Sequence, residues 1–394
     1  MWSLMNTVRH YPWGSRTVIP ELLGETSPAD RPYAELWMGA HPDAPSVLST
    51  GTPLDKAIEE QPDALLGAAV HERFGTRLPF LMKVLAAEQP LSLQAHPTNE
   101  QAQAGFAAEE AAGVPRDDPT RTFKDPFHKP ELLLALTTFE ALCGFRPVEE
   151  SLHCLAKLQV PELKPTIAAL ARGGLRAAIP QVIALSPEQR AVLVSAVAEA
   201  ASRFVAAHDP EFINTYGWAA SLAETYPGDP GVVISLMCNH LKLSPGEAVF
   251  LPAGNLHAYL SGAGVEVMAG SDNVLRGGLT PKHVSVPELS RVLDFRTGPI
   301  PVLQGETQGS ARLYRTPAAE FELQSFRIVP AEPASVTDRR GPEIVICEHG
   351  QLTLECASEA LTLTQGQSLF IAAAEPAYVI RGEGRLFRAS IGRG

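Results

Sequence analysis

Nowhere do the 394 residues approach the ~18 consecutive apolar residues that a membrane-spanning helix needs. The opening stretch, MWSLMNTVRHYPWGS, lacks the uninterrupted apolar run of a secretory signal. A basic tract is missing too: 32 Lys and Arg stand against 44 Asp and Glu, for a net charge of −12. Nucleic-acid binders and proteins held on anionic membranes normally show a basic patch, so neither partner is expected. The five cysteines (Cys143, Cys154, Cys238, Cys347 and Cys356) are odd in number and form no CxxC pair. That pattern fits reduced thiols in a cytoplasmic protein better than a disulfide framework. Low hydrophobicity is absent as well, since 45% of residues are hydrophobic and mean hydropathy is +0.00, which excludes a disordered chain.

What is present is length enough for two or three domains at ~150 residues each. An acidic soluble chain of this size is compatible with a monomer. The 31 Gly and 34 Pro punctuate the sequence and suggest many short strands and turns. To about residue 145, apolar runs such as RLPFLMKVLAAEQPLSLQAHP alternate with Pro and Gly breaks and read as strands and loops. From 146 to 230 the texture is Ala/Leu-rich and helical. There Ser186-Pro187-Glu188-Gln189 forms a capping box, and the helix it opens runs to Asp209-Pro210. The β texture returns over 231–298 and again over 299–394, with a linker expected near Arg296–Gln304. The last two stretches resemble each other: Gly246 opens GEAVFLPAGNLH and Gly366 opens GQSLFIAAAEPA, 120 residues later. At that offset His257 becomes Ala377. An internal repeat of one barrel type is therefore expected, its polar chemistry confined to the first copy.

Gly246, Pro252, Gly254 and His257 fill the pattern G-x5-P-x-G-x2-H, which resembles the second signature motif of the cupin superfamily. Pro-x-Gly is also an ordinary turn, so the weight comes from combination. Gln94 and His96, two apart on a strand, face the same side. Glu131, after His128-Lys129-Pro130, adds a carboxylate and His257 a second imidazole. Two N and two O donors suit zinc and leave room for water or substrate. Glu266, Asp272, Asn273, Arg276 and Lys282 form a polar cluster among glycines in GVEVMAGSDNVLRGGLTPKH. Lys83 interrupts the apolar run LPFLMKVLA, where a cation is costly unless paired or lining a pocket. Lys129, two residues before Glu131, would share its face. These cations can supply the local positive field that an acidic protein needs to hold a phosphate.

Several blocks in order then resemble type I phosphomannose isomerases. They are Tyr11-Pro12-Trp13-Gly14-Ser15, the block from Ala34 to Pro42, Pro79 to Leu85, Ser92 to Pro97, His128-Lys129-Pro130-Glu131, and Phe250 to Lys282. The resemblance implies a mainly β fold of two cupin (jelly-roll) barrels with a helical insertion. It implies one zinc per chain on Gln94, His96, Glu131 and His257, an essential Arg276, and a sugar-phosphate pocket lined by Ser92, Lys83, Lys129, Glu266 and Lys282. One departure stands out. Where such sequences read Tyr-x-Asp-x-Asn, this chain has Phe123-Lys124-Asp125-Pro126-Phe127, which calls into question the hydrogen bonding around the ligands but costs none of them.

The implied reaction is aldose–ketose isomerisation of mannose 6-phosphate and fructose 6-phosphate, by proton transfer between C2 and C1 through an enediolate. Glu266 is the preferred base and Lys129 the alternative; a hydride shift competes. Two rivals stay open: a different metal-dependent cupin enzyme, and a sugar-phosphate-binding cupin without catalysis.

Overall fold

The structure, a computed structural model, describes residues 1–357 and 359–393. Two antiparallel sheets dominate it, one of eleven strands and one of ten. The first is centred on Phe80–Ala87, every residue of which is buried. A near-continuous apolar run is what a strand covered on both faces requires. It pairs with Glu35–Met38 on one side and His257–Ala269 on the other. The strand Glu131–Ala135 then lies between His257–Ala269 and Ala248–Leu251.

The strand His257–Ala269 does two jobs. Its first residues pair with Phe139–Phe145 and Gln94, its later ones with Phe80–Ala87. Between Tyr259 and Ser261 the register shifts at a bulge. One extra residue flips the side-chain alternation that follows, so Tyr259 and Glu266, an odd number of positions apart, reach the same face. Gly262 completes the bend with φ +111; a Cβ there would sit 2.5 Å from the Thr138 carbonyl oxygen.

The expected helical stretch runs from Val148–Lys157 to Gly231–Ser235. Its longest helix, Pro187–Ala206, opens on the Ser186/Gln189 capping box read in the sequence. One apolar cluster joins Leu193, Val197, Tyr216 and Leu222 of these helices to Leu93, Ala95, Leu256 and Leu275. The helices thus brace the backs of the short strands that carry Gln94 and Arg276.

The second sheet repeats a piece of the first. Ala248–Leu251 recurs 120 residues on as Ser368–Ile371, and the 13-residue strand His257–Ala269 recurs as the 13-residue Tyr378–Ser390. Gly246 and Gly366, which open the two copies, both have positive φ, +90 and +79. Three strands cross the divisions read from texture. Trp2–Met5 pairs with Ser368–Ile371 in the C-terminal sheet and brings Val47–Leu48 with it, whereas Val302–Leu303 pairs with Ala248–Leu251 in the first. The stretch near Arg296–Gln304 is therefore strapped to the first sheet rather than a free linker. Cys143, Cys154, Cys238 and Cys347 are buried without a disulfide.

Candidate metal and sugar-phosphate site

Three side chains from separate segments meet inside the first sheet. His96, Glu131 and His257 are each at most 2% exposed, and one donor atom of each lies within 4.8 Å of the others. Glu131 carboxylate oxygens lie 3.3 Å from His96 Nε2 and 3.3 Å from His257 Nε2. Neither contact has hydrogen-bond geometry: His96 Nε2, His257 Nε2 and Glu131 Oε2 are buried without a hydrogen-bond partner. Buried polar atoms in proteins are almost always satisfied, so three orphans aimed at one point fit a metal cation. The other ring nitrogens fix the tautomer. His96 Nδ1 donates to the Asn273 carbonyl at 2.6 Å and His257 Nδ1 to the Asn255 carbonyl at 3.1 Å. Each imidazole therefore turns its Nε2 lone pair inward, as a metal ligand does. Burial lowers the His96 pKa. Burial opposes ionisation of Glu131, but His96 and Lys129 outweigh it and hold its carboxyl well below the usual range.

The Pro252–Gly254 turn has a visible task. Gly254 has φ +78, and a Cβ there would lie 2.9 Å from the Val292 carbonyl. Its N–H donates to the His96 carbonyl at 2.7 Å, three residues before the chain reaches His257. One turn thus ties both imidazole-bearing segments together. Gln94 stands directly opposite His257 and, on its other side, opposite Arg276.

Beside this centre, one sheet face collects charge. Lys83 is opposite both Trp37 and Glu266. Its ammonium donates to Glu35 at 3.3 Å and sits 4.5 Å from the Trp37 ring centroid, while Trp37 Nε1 donates to Glu35 at 2.8 Å. Burial works against the Lys83 ammonium, but Glu35, Glu266 and Glu131 prevail and its pKa is raised. Glu266, 3% exposed, accepts from Tyr259 Oη at 2.6 Å. Burial first, then repulsion from Glu131, push its pKa up to about 7 against the pull of Lys83. Lys129 Nζ lies 3.4 Å from Glu131.

The remaining cations stand outward. Arg276 is half-buried and has no ion pair among the described residues; burial lowers its pKa. Lys282, exposed, has its pKa lowered by partial burial and then by Arg276 and Lys124, which places three cations in one neighbourhood. Ser92 is half-buried two residues before Gln94, just ahead of the strand Leu93–Ala95.

Glu35, Trp37, Tyr259, Lys124 and the supporting part played by Asn273 were not legible beforehand. The sequence signals were membership of the matching blocks Ala34–Pro42 and Phe250–Lys282, and position: Glu35 alternates with Trp37, and Tyr259 follows His257 by two. Asn273 is fully buried and is the hub of the site. Its amide donates to the carbonyls of Asp125 and Phe127, its side-chain oxygen accepts from the N–H groups of Lys124 and Asp125, and its own carbonyl holds His96. The Phe123–Phe127 departure is thereby covered: Asn273 and Ser271 hydrogen-bond this loop, and the Arg77 guanidinium packs 3.5 Å from the Phe127 ring centroid.

Fold and site together define the class: a β-sheet protein with a buried imidazole–carboxylate metal centre beside a patch of cations. A family description, phosphomannose isomerase type I, catalytic domain, matches residues 1–148. The mannose-6-phosphate isomerase of Escherichia coli (strain K12) is 40% identical, with 98% of this chain and 99% of that protein covered. That of Bos taurus is 34% identical over 95% of this chain and 94% of its own. The structure of the Salmonella typhimurium mannose 6-phosphate isomerase bound to fructose 6-phosphate and zinc superposes with a TM-score of 0.90 at 36% identity, covering 100% of this chain and 99% of that one. A further mannose 6-phosphate isomerase, bound with zinc and yttrium, also gives 0.90. The chain belongs to the type I mannose-6-phosphate isomerase family.

Proposed function

We propose that this chain interconverts D-mannose 6-phosphate and D-fructose 6-phosphate with one zinc ion held by Gln94, His96, Glu131 and His257. The observation that carries the reading is the set of three buried, orphaned donor atoms of His96, Glu131 and His257, set beside a carboxyl poised at about 7. Two imidazoles with inward lone pairs, a carboxylate and an amide oxygen suit zinc. When bound, the metal would act as a Lewis acid for the O1/O2 edge of the open-chain sugar.

The protein's own groups do the rest. Glu266, with a pKa near working pH, is fitted to take the proton from C2 and return it to C1. Tyr259 Oη holds one carboxylate oxygen and so fixes the direction of the other. Lys83, kept cationic by Glu35, stands opposite Glu266 and favours the ionised base. Arg276, without a carboxylate partner, offers a planar fork to enediolate or phosphate oxygens. Lys282 and Lys124 add charge beside it for the phosphate.

The architecture fits the same proposal. The two sheets are read as jelly-roll barrels of cupin type, divided as 1–145 with 231–298, the helical insertion 146–230, and 299–394, with the strand exchanges described above. No helix among the described residues is long and apolar enough to cross a membrane; a cytoplasmic monomer acting on a free sugar phosphate is the matching expectation. The test is conversion of mannose 6-phosphate by purified protein as isolated, after chelation, and after zinc is restored. Turnover lost with chelator and regained with zinc is expected. A folded, zinc-loaded protein without turnover would overturn the assignment in favour of binding alone.

A further inference from the structure

The C-terminal sheet gathers cations that acids do not balance. Arg327 lies directly opposite Arg385, and Arg385 directly opposite His349, across three neighbouring strands. Arg312, one strand further out, faces Ser325, which shares a face with Arg327 two residues on. The Arg327 backbone N–H donates to the Ser310 carbonyl and extends the strand ladder by one pair. Like charges directly opposite on antiparallel strands are destabilising, so this arrangement weakens the fold where it stands. Glu348, 3.4 Å from Arg385, offsets one charge. No ion pair reaches Arg312 or Arg327 among the described residues.

These residues line a groove of about 580 Å³. Its other wall is the Pro245–Gly246 turn of the first sheet, where Tyr314 Oη donates to the Gly246 carbonyl at 2.8 Å. A cleft of that volume at a seam between two packed units is a usual setting for a small ligand, the range being about 300–1,000 Å³. None of its residues belongs to the metal site.

We propose that this groove is a second anion site, taking a small phosphorylated molecule with at least two negative charges. Guanidinium forks match phosphate oxygens bidentately, and the Ser310 and Ser325 hydroxyls supply further donors. Three arginines less one glutamate leave a charge that a dianion neutralises, in a protein that is acidic overall.

The test is thermal unfolding of the zinc-loaded protein without sugar phosphate, itself a dianion that would enter the groove. Inorganic phosphate is then titrated at constant ionic strength against chloride. A midpoint that rises and saturates is expected for the unaltered chain. In Arg327→Gln/Arg385→Gln the apparent phosphate affinity should fall about tenfold or more, with isomerase turnover unchanged. Arg312→Gln, on a different strand, should weaken it independently. Any general stabilisation by phosphate as an excluded solute acts on all variants alike, so equal rises in every variant, or a rise that never saturates, would overturn the proposal. Vesicles of phosphatidic acid present the same headgroup on a surface; no retention is expected, and retention lost in the double variant would reassign the groove to a membrane.

Discussion

Replacing Glu266 by Gln should stabilise the fold and remove most of the turnover, two effects of opposite sign from one carboxylate. Burial and the neighbouring Glu131 raise its pKa from an ordinary 4.5 to about 7. At 1.36 kcal/mol per unit, that rise sets about 3 kcal/mol against the ionised form in the folded chain. A group whose folded pKa is raised contributes stability that is fully present below 4.5 and lost as pH climbs through about 7. Gln keeps the shape and can still accept from Tyr259, and Lys83 keeps Glu35. In metal-depleted protein the variant should therefore gain on the unaltered chain by up to about 3 kcal/mol above pH ~8, the gain vanishing below pH ~5. A bound dication lowers the pKa of a nearby acid, so the gap narrows in zinc-loaded protein. Turnover should fall about 10²–10⁴-fold, the usual worth of a general base. Urea unfolding across pH and an isomerase assay read the two effects separately. Undiminished turnover would remove Glu266 as the base. A variant less stable than the parent at high pH would refute the burial argument.

Three other perturbations test separate parts of the molecule. Arg276→Lys should retain zinc but lose most turnover, because an ammonium cannot form the two-pronged contact; near-normal kinetics would take Arg276 out of the mechanism. Asn273→Ala deletes the side-chain hydrogen bonds that hold the 124–127 loop and loosens the carbonyl that orients His96. Zinc affinity should drop about 10–100-fold, measured by competition with graded chelators, and unchanged affinity would mean the loop does not orient His96. Glu343→Gln, in the C-terminal sheet, strips the fully buried charge that answers Arg388 and the half-buried Arg339. It should cost about 3–5 kcal/mol and leave turnover per folded molecule intact. Burial opposes ionisation of Glu343, yet Arg388, then Arg339 and Tyr378, hold its pKa below 4.5. The pair's stability is thus present above that value and lost as pH falls through the folded pKa, an acid-side loss that the Gln variant should lack.

The capping box at Ser186, the buried apolar run around Lys83 and the Pro252–Gly254 turn before His257 were all readable from the sequence, because each depends on neighbours within a few positions. The 120-residue echo between the two sheets was legible for the same reason: turn chemistry and alternation are local. Gln94, His96, Glu131 and His257 could be nominated through spacing and resemblance. Their distances and their inward-facing lone pairs were not written there, since these depend on the carbonyls of Asn273 and Asn255 and on a glycine turn that reaches back to His96.

What remained hidden involves contacts between distant segments. Nothing near Glu35 in the chain announces Lys83, and nothing near Tyr259 requires it to meet Glu266; a bulge between Tyr259 and Ser261 sets that face. The exchange of Trp2–Met5 into the far sheet is hidden likewise, as strand pairing is a property of two segments and not of one. By itself, then, the sequence determined the acidic balance, the strand and helix texture and the residue types able to hold a metal. The tertiary structure alone decided which charges are buried together, and hence why one carboxyl is pushed to about 7 while another is held well below its usual range. Desolvation and Coulomb forces depend on distance in space, which the linear order does not carry.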